Sequence, residues 1–408
     1  MLAKSSTELV RQQNSALVLS ALRRRGPIAH TEIADATGLA SGTISAITNE
    51  LEAGGIIEKI EQQPPSGRGR PRVLFSPRRS CGYVITISIS SDAVQYSLVD
   101  YAGTLLDRFS EPREQGGPSA FVASLSTAIN RVLQRSRISA DNVMLVSISS
   151  KGLVHRTEPV LTWSPVYGSD AIDFAQALAK DWSAKVSLNN ETLLVASALL
   201  ERETRTSASA EAAVAALSLG HSIGLGIGRA GATGGREVSA PNFGHMLHVP
   251  NGAVCRCGSR GCVEAYAGFY AILRTAFEVP IDTVPAKFVP LNEIDKIAGH
   301  ARQANRNAKF AFRQAGVAIG NGLSRLLSLH GHMPVVITGP GVRYYDLLEE
   351  GLREGLAESH SVRLGGMPEL RVMTDEQSLL FEGHLSYAFS LLDQTVSGSR
   401  ERRKAGSL

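Results

Sequence analysis

Three of the four cysteines in the 408-residue sequence are crowded into one short segment. Cys255, Cys257 and Cys262 follow one another at spacings of two and five residues, and His245 precedes the first of them by ten. Three thiols and an imidazole are ligands that a tetrahedral zinc ion prefers, and four protein ligands leave no open position for a substrate. The spacing therefore predicts a loop closed around a structural zinc. The alternative is three reduced cysteines that only pack.

The rest of the composition is that of a globular protein with more than one domain. Hydrophobic residues make up 43% and charged residues 20%, which excludes bulk disorder and a fibrous repeat. No apolar run approaches the roughly 20 residues that cross a bilayer, and the N-terminal segment is too polar for a secretory signal. The sequence therefore predicts a cytoplasmic protein of about two to four domains.

The net charge of +4 is confined to the start of the chain. Residues 1–80 contain 11 Lys and Arg against 7 Asp and Glu, whereas residues 81–408 contain 31 of each. Residues 1–80, the head, are basic, whereas residues 81–408, the body, are neutral. This division indicates that the head binds a polyanion.

The head has the pattern of a winged helix-turn-helix domain. An apolar stripe at residues 17–22 predicts a first helix, Thr31 is the predicted N-cap of a short second helix, and Gly38 marks the turn that ends it. A third helix follows the turn, and residues 56–75 have room for a two-stranded wing.

The third helix presents small polar side chains on its outer face. Ile44, Ile47 and Leu51 share the inner face. Short, uncharged, hydrogen-bonding side chains suit a helix that enters a major groove about 12 Å wide. The predicted DNA-contacting residues of this helix are Ser41, Thr43, Ser45, Thr48 and Asn49. A plain three-helix module for dimerisation or ligand contact is the alternative.

An extended basic segment completes the head. Arg68, Arg70 and Arg72 alternate with glycine and proline, which keep the chain thin. Extended arginines fit a narrow A·T-rich minor groove, where the potential is most negative. A flexible basic linker is the alternative.

Beyond Gly82, strand-like segments alternate with helical ones. Buried strands are predicted at residues 84–89, 143–148, 213–219 and 335–338. Such alternation predicts an α/β body, and its length favours two lobes with a cleft.

These features together resemble the ROK family (repressors, open reading frames and kinases), on its repressor branch. The resemblance rests on the winged helix, the linker at residues 67–71, and the Gly-His, Cys-x-Cys-Gly and Gly-Cys-x-Glu motifs between His245 and Glu264. It covers nearly the whole chain. It implies a two-lobed actin-like or ribonuclease H-like sugar-kinase body, a zinc loop beside a sugar pocket, and homodimers or homotetramers on palindromic operators.

We expect four parts along the chain. A DNA-binding head spans residues 1–80, a small lobe spans 81–192 and takes in 382–396, and a large lobe with the zinc loop spans 193–381. A disordered tail is expected at 397–408.

The kinase motifs of the family are degenerate. Its kinases begin the body with Asp-x-Gly-Gly-Thr, whereas Thr86–Ser90 holds neither Asp nor Gly. In the second phosphate loop, residues 220–224, bulkier side chains replace the second and third members of Gly-Thr-Gly-x-Gly. The catalytic aspartate falls on Asn190, whose amide cannot accept a hydroxyl proton. The sequence therefore predicts no kinase activity.

The resemblance also implies a set of ligand contacts. They are Gly152, Asn189, Asn190, Asn242, His245 and Glu264, with Asn242 in place of a glutamate. Amides still hydrogen-bond hydroxyl groups, so the expected effector is a small polar compound such as a sugar or sugar phosphate. A pocket that binds nothing is the alternative.

The predicted function is therefore a repressor of carbohydrate-related genes. Its expected partners are double-stranded operator DNA, a carbohydrate-like small molecule and further copies of the chain. Two other readings remain open: a bifunctional sugar kinase with a DNA-binding head, and a DNA-bound scaffold controlled by a protein partner.

Overall fold

The computed structural model describes residues 2–62, 72–206, 212–231 and 235–398. The predicted arginines Arg68 and Arg70 lie outside these ranges, as does the predicted tail beyond its first two residues. None of the described helices is both long and apolar enough to cross a membrane.

The head is a three-helix unit closed by a β-hairpin. Its elements are α1 (Leu2–Arg25), α2 (His30–Thr37), α3 (Ser41–Ala53), β1 (Ile57–Gln62) and β2 (Arg72–Pro77). β1 and β2 pair antiparallel, which confirms the predicted wing. Leu22, Ile33 and Ile44 are fully buried where the three helices meet, and Gly38 ends α2 at φ 70°.

The predicted N-cap of α2 is wrong. The helix begins at His30 and its N-cap is Ala29, two residues before Thr31. The Glu32 carboxylate accepts a hydrogen bond from the Ala29 N–H at 2.8 Å. A glutamate in the first turn that satisfies a free backbone donor removes the need for a hydroxyl cap at this end.

The first half of the body contains a five-stranded sheet and a small three-stranded one. Its elements are β3 (Tyr83–Ile89), β4 (Ala93–Asp100), β5 (Leu105–Pro112), α4 (Pro118–Ser136), β6 (Val143–Ser150), β7 (Leu153–Val154), β8 (Val160–Trp163), β9 (Ile172–Asp173), α5 (Phe174–Leu178) and β10 (Lys185–Asn190). The strand order is β10-β6-β3-β4-β5, in which β10, β6 and β3 run parallel and β4 and β5 complete an antiparallel meander.

The second half repeats this plan. Its elements are α6 (Glu191–Thr206), β11 (Ala212–Ser218), β12 (Gly224–Ala230), β13 (Arg236–Ser239), α7 (Glu264–Ala267), α8 (Phe269–Ala276), α9 (Leu291–Arg302), α10 (Arg306–His330), β14 (Val335–Thr338), α11 (Tyr345–Ala357), α12 (His360–Gly365), β15 (Leu370–Val372) and α13 (Glu376–Gly398). The order is β13-β12-β11-β14-β15, with β11, β14 and β15 parallel. The four predicted strands correspond to β3, β6, β11 and β14, and the α/β class is confirmed.

The strand directions decide where a site can form. β6, β10 and β11 are members of parallel pairs, and they end at Ser150, Asn190 and Ser218. Ligands of open α/β sheets bind beyond the carboxyl ends of such strands. The residues that follow these ends are therefore the ones brought together.

The last helix returns to the first sheet. Ala388 and Phe389 of α13 pack with Val84 of β3 and Leu145 of β6 in one hydrophobic cluster. α13 also packs along α6 and against α1 of the head. Helix α13 therefore contacts both the head, through α1, and the start of the second half of the body, through α6.

Candidate ligand cleft, metal centre and DNA-binding surface

Four of the five side chains of α3 predicted to contact DNA reach the protein surface, and the fifth is buried. Ser41 and Asn49 are exposed, and Thr43 and Ser45 are half-buried. Thr48 is fully buried, so its predicted contact with DNA is wrong. Thr48 lies four residues after the core residue Ile44, on the same helix face, and its hydroxyl donates to the Ile44 carbonyl at 2.9 Å.

Arg72, the described member of the predicted minor-groove arginines, begins β2. Its guanidinium donates to Glu32 at 2.6 Å, and its side chain is 54% exposed. Such an exposed ion pair contributes little to stability and can exchange for a phosphate contact.

The predicted zinc ligands converge. The donor atoms of His245, Cys255, Cys257 and Cys262 all lie within 4.8 Å of one another. The Cys255 Sγ is 3.5 Å from His245 Nδ1, and the Cys257 and Cys262 sulfurs are 3.7 Å apart. Hydrogen bonds, the largest from Cys262, lower the pKa of the Cys255 thiol to about 3. A cluster of three thiols and one imidazole at this spacing can hold a metal ion.

Two glycines give the loop its shape. Gly258 and Gly261 adopt φ of 88° and 78°, the left-handed region that favours glycine. A Cβ on Gly261 would also collide with the Val249 carbonyl. The loop then returns to the body, where the Val263 N–H donates to Met246 O at 2.9 Å, and α7 begins at Glu264.

Beside the metal cluster lies a cleft between the two halves of the body. It is lined by residues from seven segments: Lys151, Gly152, Leu153, Trp163, Pro165, Asn190, Glu191, Thr192, Ser218, Ser222, Ile223, Gly224, Leu225, Ala240, Pro241, Asn242, Phe243, Gly244, His245 and Glu264. Five of the six predicted ligand contacts are therefore brought together. Asn189 is not among the lining residues and faces an adjoining cavity.

Glu264 lies at the base of the cleft and is 1% exposed. Its Oε2 accepts a hydrogen bond from the Ile223 N–H at 3.1 Å, and its Oε1 lies 3.5 Å from the Arg256 guanidinium. Burial raises the pKa of the Glu264 carboxyl, against the opposing effect of Arg256. Arg256 in turn stacks over the Tyr270 ring, 4.7 Å from its centroid.

Asn190 is held in one orientation by three hydrogen bonds. Its Nδ2 donates to the Gly152 carbonyl at 2.9 Å. Its Oδ1 accepts from the N–H and the hydroxyl of Thr192, at 2.9 and 2.7 Å. The side chain thus starts α6 in the manner of a helix cap, and it joins the end of β10 to the loop after β6.

A buried ion pair lies in the same cleft. The Lys151 ammonium is 3.0 Å from Glu191 Oε1, and the two side chains are 18% and 9% exposed. Burial lowers the pKa of Lys151, but the carboxylates of Glu191, Glu376 and Glu264 together outweigh it and leave that pKa raised. The cleft therefore offers a cation and a carboxylate side by side.

Several buried polar atoms along the cleft are unsatisfied. Ser218 Oγ, Ser222 Oγ and Glu264 Oε1 make no hydrogen bond within the described part of the chain. Buried polar atoms in folded proteins are nearly always hydrogen-bonded. A hydroxylated compound in the cleft could satisfy all three, beside the ring of Trp163.

Comparison with known sequences gives the family. The sequence model described as "ROK family" matches residues 84–372, and one described as "Winged helix-turn-helix DNA-binding" matches residues 14–58. The chain belongs to the ROK family.

Individual ROK proteins resemble the chain along most of its length. The xylose repressor of Bacillus spizizenii is 24% identical over 369 residues, which is 88% of this chain and 91% of that protein. The DNA-binding transcriptional dual regulator NagC of Escherichia coli is 23% identical over 338 residues, 82% of each chain.

Solved structures place the fold. A ROK family transcriptional regulator, a homologue of the Escherichia coli MLC protein, superposes with a TM-score of 0.69 at 19% identity, covering 95% of this chain and 100% of that one. A ROK family glucokinase from Streptomyces griseus, solved with glucose and AMPPNP, gives 0.54 at 20% identity over 75% of this chain and 99% of that one. The body therefore has the sugar-kinase fold, in accord with the predicted fold class.

In this ROK body, side chains occupy the segment that corresponds to the second phosphate loop of the kinases. The buried His221 Nε2–H donates to the Val289 carbonyl at 2.7 Å, and the ring stacks on Phe288 at 4.7 Å. Burial lowers the pKa of His221 to about 4, so the ring is neutral near pH 7. A neutral ring committed to protein contacts offers no charge to a phosphate.

A second buried histidine contacts Thr86–Ser90, the segment compared in the sequence analysis with the kinase motif that begins the body. His384 of α13 is fully buried, and its ring nitrogens lie 2.9 Å from Ser147 Oγ, 3.0 Å from Ser149 Oγ and 3.3 Å from Ser88 Oγ. Burial lowers its pKa to about 3. Ser88, within the segment that replaces the kinase motif, is therefore part of an internal polar network.

Sequence reasoning missed the cleft residues that carry no family motif. Lys151, Trp163, Glu191 and Ser218 line the cleft but were not predicted. Lys151 and Glu191 directly follow the ends of β6 and β10, which is the signal that could have found them. Trp163 could have been noticed as one of only two tryptophans.

Proposed function

We propose that this ROK protein is a transcriptional repressor of carbohydrate-related genes whose body senses a small polar ligand in the cleft. The family membership, the winged helix-turn-helix head and the names of the similar repressors support the regulatory role. The three cleft oxygens without hydrogen bonds, on Ser218, Ser222 and Glu264, carry the proposed ligand binding. Carboxylates and serine hydroxyls are suitable partners for sugar hydroxyls, and Trp163 adds an apolar face.

We propose zinc as the metal of the Cys–His cluster. Its four donors match a closed structural site in type and number, which leaves no position for catalysis. Arg256 lies between two of the cysteines and contacts Glu264, so a bound ion would fix the loop that holds this carboxylate in the cleft.

The route from cleft to head runs through two helices. Asn190 and Glu191 line the cleft at the start of α6, and α6 packs along α13. Arg23 of the head forms a bidentate ion pair with Asp393 of α13, at 2.5 and 2.8 Å. A ligand that favours one closure of the two lobes would therefore change the position of the head. In a homodimer this changes the spacing of the two recognition helices, which must match the helical repeat of DNA.

We propose that the chain divides into a DNA-binding head at residues 1–80, a small lobe at 81–192 and a large lobe at 193–381. Residues 382–396 are assigned to the small lobe. The packing of α13 against β3 and β6 supports this assignment.

Thermal melts of the full chain test the ligand proposal. We expect xylose, N-acetylglucosamine or another compound in a panel of sugars and sugar phosphates to raise Tm, because a ligand at 100 times its Kd adds about 2.7 kcal/mol. Glu264→Gln should remove this increase, whereas the exposed Glu350→Gln should keep it. A wild type that no compound in the panel stabilises would favour the scaffold alternative.

Kinase activity is expected to be absent, and restoring the base should not recover it. Asn190→Asp returns a carboxylate to the cleft, but His221 and His384 still fill the segments where phosphates would meet backbone N–H groups. We expect neither the wild type nor Asn190→Asp to release ADP from ATP with any sugar in the panel. Sugar-dependent ADP release by the wild type would establish the bifunctional alternative.

DNA binding should depend on the basic linker in a sequence-dependent way. We expect Arg70→Ala to weaken binding mainly at operators with A·T-rich flanks, because their narrow minor groove attracts arginine. Titrations of A·T-flanked and G·C-flanked duplexes at one salt concentration measure this. Equal losses on both would leave only general phosphate attraction.

A further inference from the structure

A second cavity adjoins the ligand cleft at the free edge of the first sheet. It is the larger of the two, and it lies among the β7–β8 hairpin, the edge strand β10 and helix α13. The two cavities share Gly152, Leu153, Asn190 and Ala240 as a common wall. Asn189, the predicted ligand contact that the cleft does not include, belongs to this second cavity.

The floor of the cavity carries two unsatisfied polar groups. Ser187 and Asn189 are each 7% exposed, and they line the cavity from the same face of β10, two residues apart. Ser187 Oγ and Asn189 Nδ2 make no hydrogen bond within the described residues. A buried amide donor and a buried hydroxyl without partners point to a ligand that supplies oxygen atoms.

The mouth of the cavity is basic. Arg156 and Lys185 are both exposed cavity residues, and neither has an ion-pair partner among the described residues. The nearby Glu158 lies 3.9 Å from His155 rather than against either cation. Two exposed cations and two neutral hydrogen-bonding groups lining one cavity suit a compound with an anionic end and a hydroxylated end.

The remaining wall comes from the helix that contacts the head. Tyr387 and Leu391 of α13 line the cavity, and Asp393 of the same helix holds Arg23. Occupancy of the cavity would therefore act on the element that positions the DNA-binding domain.

We propose that this cavity is a second small-molecule site, separate from the cleft, which binds an anionic hydroxylated compound of the sugar phosphate or sugar acid class. The anion would pair with Arg156 and Lys185, and the hydroxyl groups would bond to Ser187 and Asn189. The site extends the sensing role of the body beyond the ligand of the cleft.

Isothermal titration of the full chain with glucose 6-phosphate and with gluconate tests the site. The two probes share the anionic polyol and differ in having a phosphate or a carboxylate. We expect saturable binding of at least one. The double variant Arg156→Gln/Lys185→Gln should bind it at least about tenfold more weakly, because a charge-assisted hydrogen bond contributes more than a factor of ten. Ser187→Ala should also weaken binding.

Matched variants locate the binding. Lys180→Gln/Arg306→Gln removes the same charge from exposed positions outside the cavity and should leave the affinity unchanged. Glu264→Gln reports on the cleft, so probe binding that persists in this variant and falls in the Arg156/Lys185 double variant belongs to the second cavity, whether or not the cleft binds a ligand. No saturable binding of either probe overturns the proposal. So does an affinity that falls in Glu264→Gln but not in the Arg156/Lys185 double variant, because the probe then occupies the cleft.

Discussion

Protein purified without chelator is expected to contain one zinc ion per chain, and Cys257→Ser is expected to lose it. Apparent binding free energies of structural zinc sites in peptides are about 10–16 kcal/mol at pH 7, so losing the ion should lower the free energy of unfolding by several kcal/mol. Backbone hydrogen bonds such as Gly261 N–H to Ala253 O, at 2.9 Å, also hold the loop between His245 and Glu264, so we expect local loosening rather than loss of the whole fold. Elemental analysis and thermal melts measure both effects.

Cys81→Ser is the matched control. Cys81 is the remaining cysteine, half-buried and packed against the cluster of β3, β6 and α13, far along the chain from the metal loop. Its replacement should leave the metal content at one per chain. Metal near zero in the wild type, or equal melts for the two serine variants, would contradict the zinc site.

Loss of zinc should also weaken ligand binding in the cleft. Arg256 is 6% exposed and contacts Glu264 from a position between Cys255 and Cys257. Once the loop loosens, the guanidinium no longer holds the carboxylate. We therefore expect the Cys257→Ser protein to lose ligand stabilisation even at temperatures where it remains folded.

The parts of the site that could be predicted from the sequence are local. The zinc ligands lie within one segment, so their spacing alone brings them together. The recognition helix was also predictable, because Ile44, Ile47 and Leu51 define its inner face over a few turns. Thr48 was misplaced because a residue's polarity was taken as exposure, although its hydroxyl bonds back to the helix backbone.

Contacts between distant segments were not predictable. Ser147 and His384 are 237 residues apart in sequence and 2.9 Å apart in space. The two neighbours Asn189 and Asn190 look equivalent in sequence and both line the second cavity, yet only Asn190, which ends β10 and bonds to Gly152 and Thr192, also lines the cleft. Such pairings depend on strand order and on where α13 returns, and no local pattern encodes either.

Among these contacts between distant segments, the ion pair of Arg23 and Asp393 joins residues 370 positions apart and connects the head to the body. Arg23 and Asp393 are 8% and 4% exposed, and the guanidinium packs against the rings of Tyr101 and Phe389, 4.6 and 4.2 Å from their centroids. The Tyr101 hydroxyl also donates to Asp393 at 3.2 Å. The pair is thus nearly buried, so dissolved salt screens it much less than it screens a surface pair.

Removing one member of this pair should release the head. Breaking a buried ion pair from one side costs about 3–5 kcal/mol, because the remaining charge is left without a partner. We expect Arg23→Met and Asp393→Asn each to lower Tm, and to abolish the effect of a cleft ligand on DNA affinity. The exposed Arg25→Met should leave both Tm and ligand response near those of the wild type.

A double-mutant cycle separates the pair from its surroundings. In Arg23→Met/Asp393→Asn no buried charge remains, so stability should recover towards the wild type, whereas the ligand response of DNA binding should stay lost. Recovery of stability without recovery of response would identify the ion pair as the connection between cleft and head. A cycle with no interaction energy, or a single variant that keeps the full ligand response, would mean that the signal reaches the head by another path.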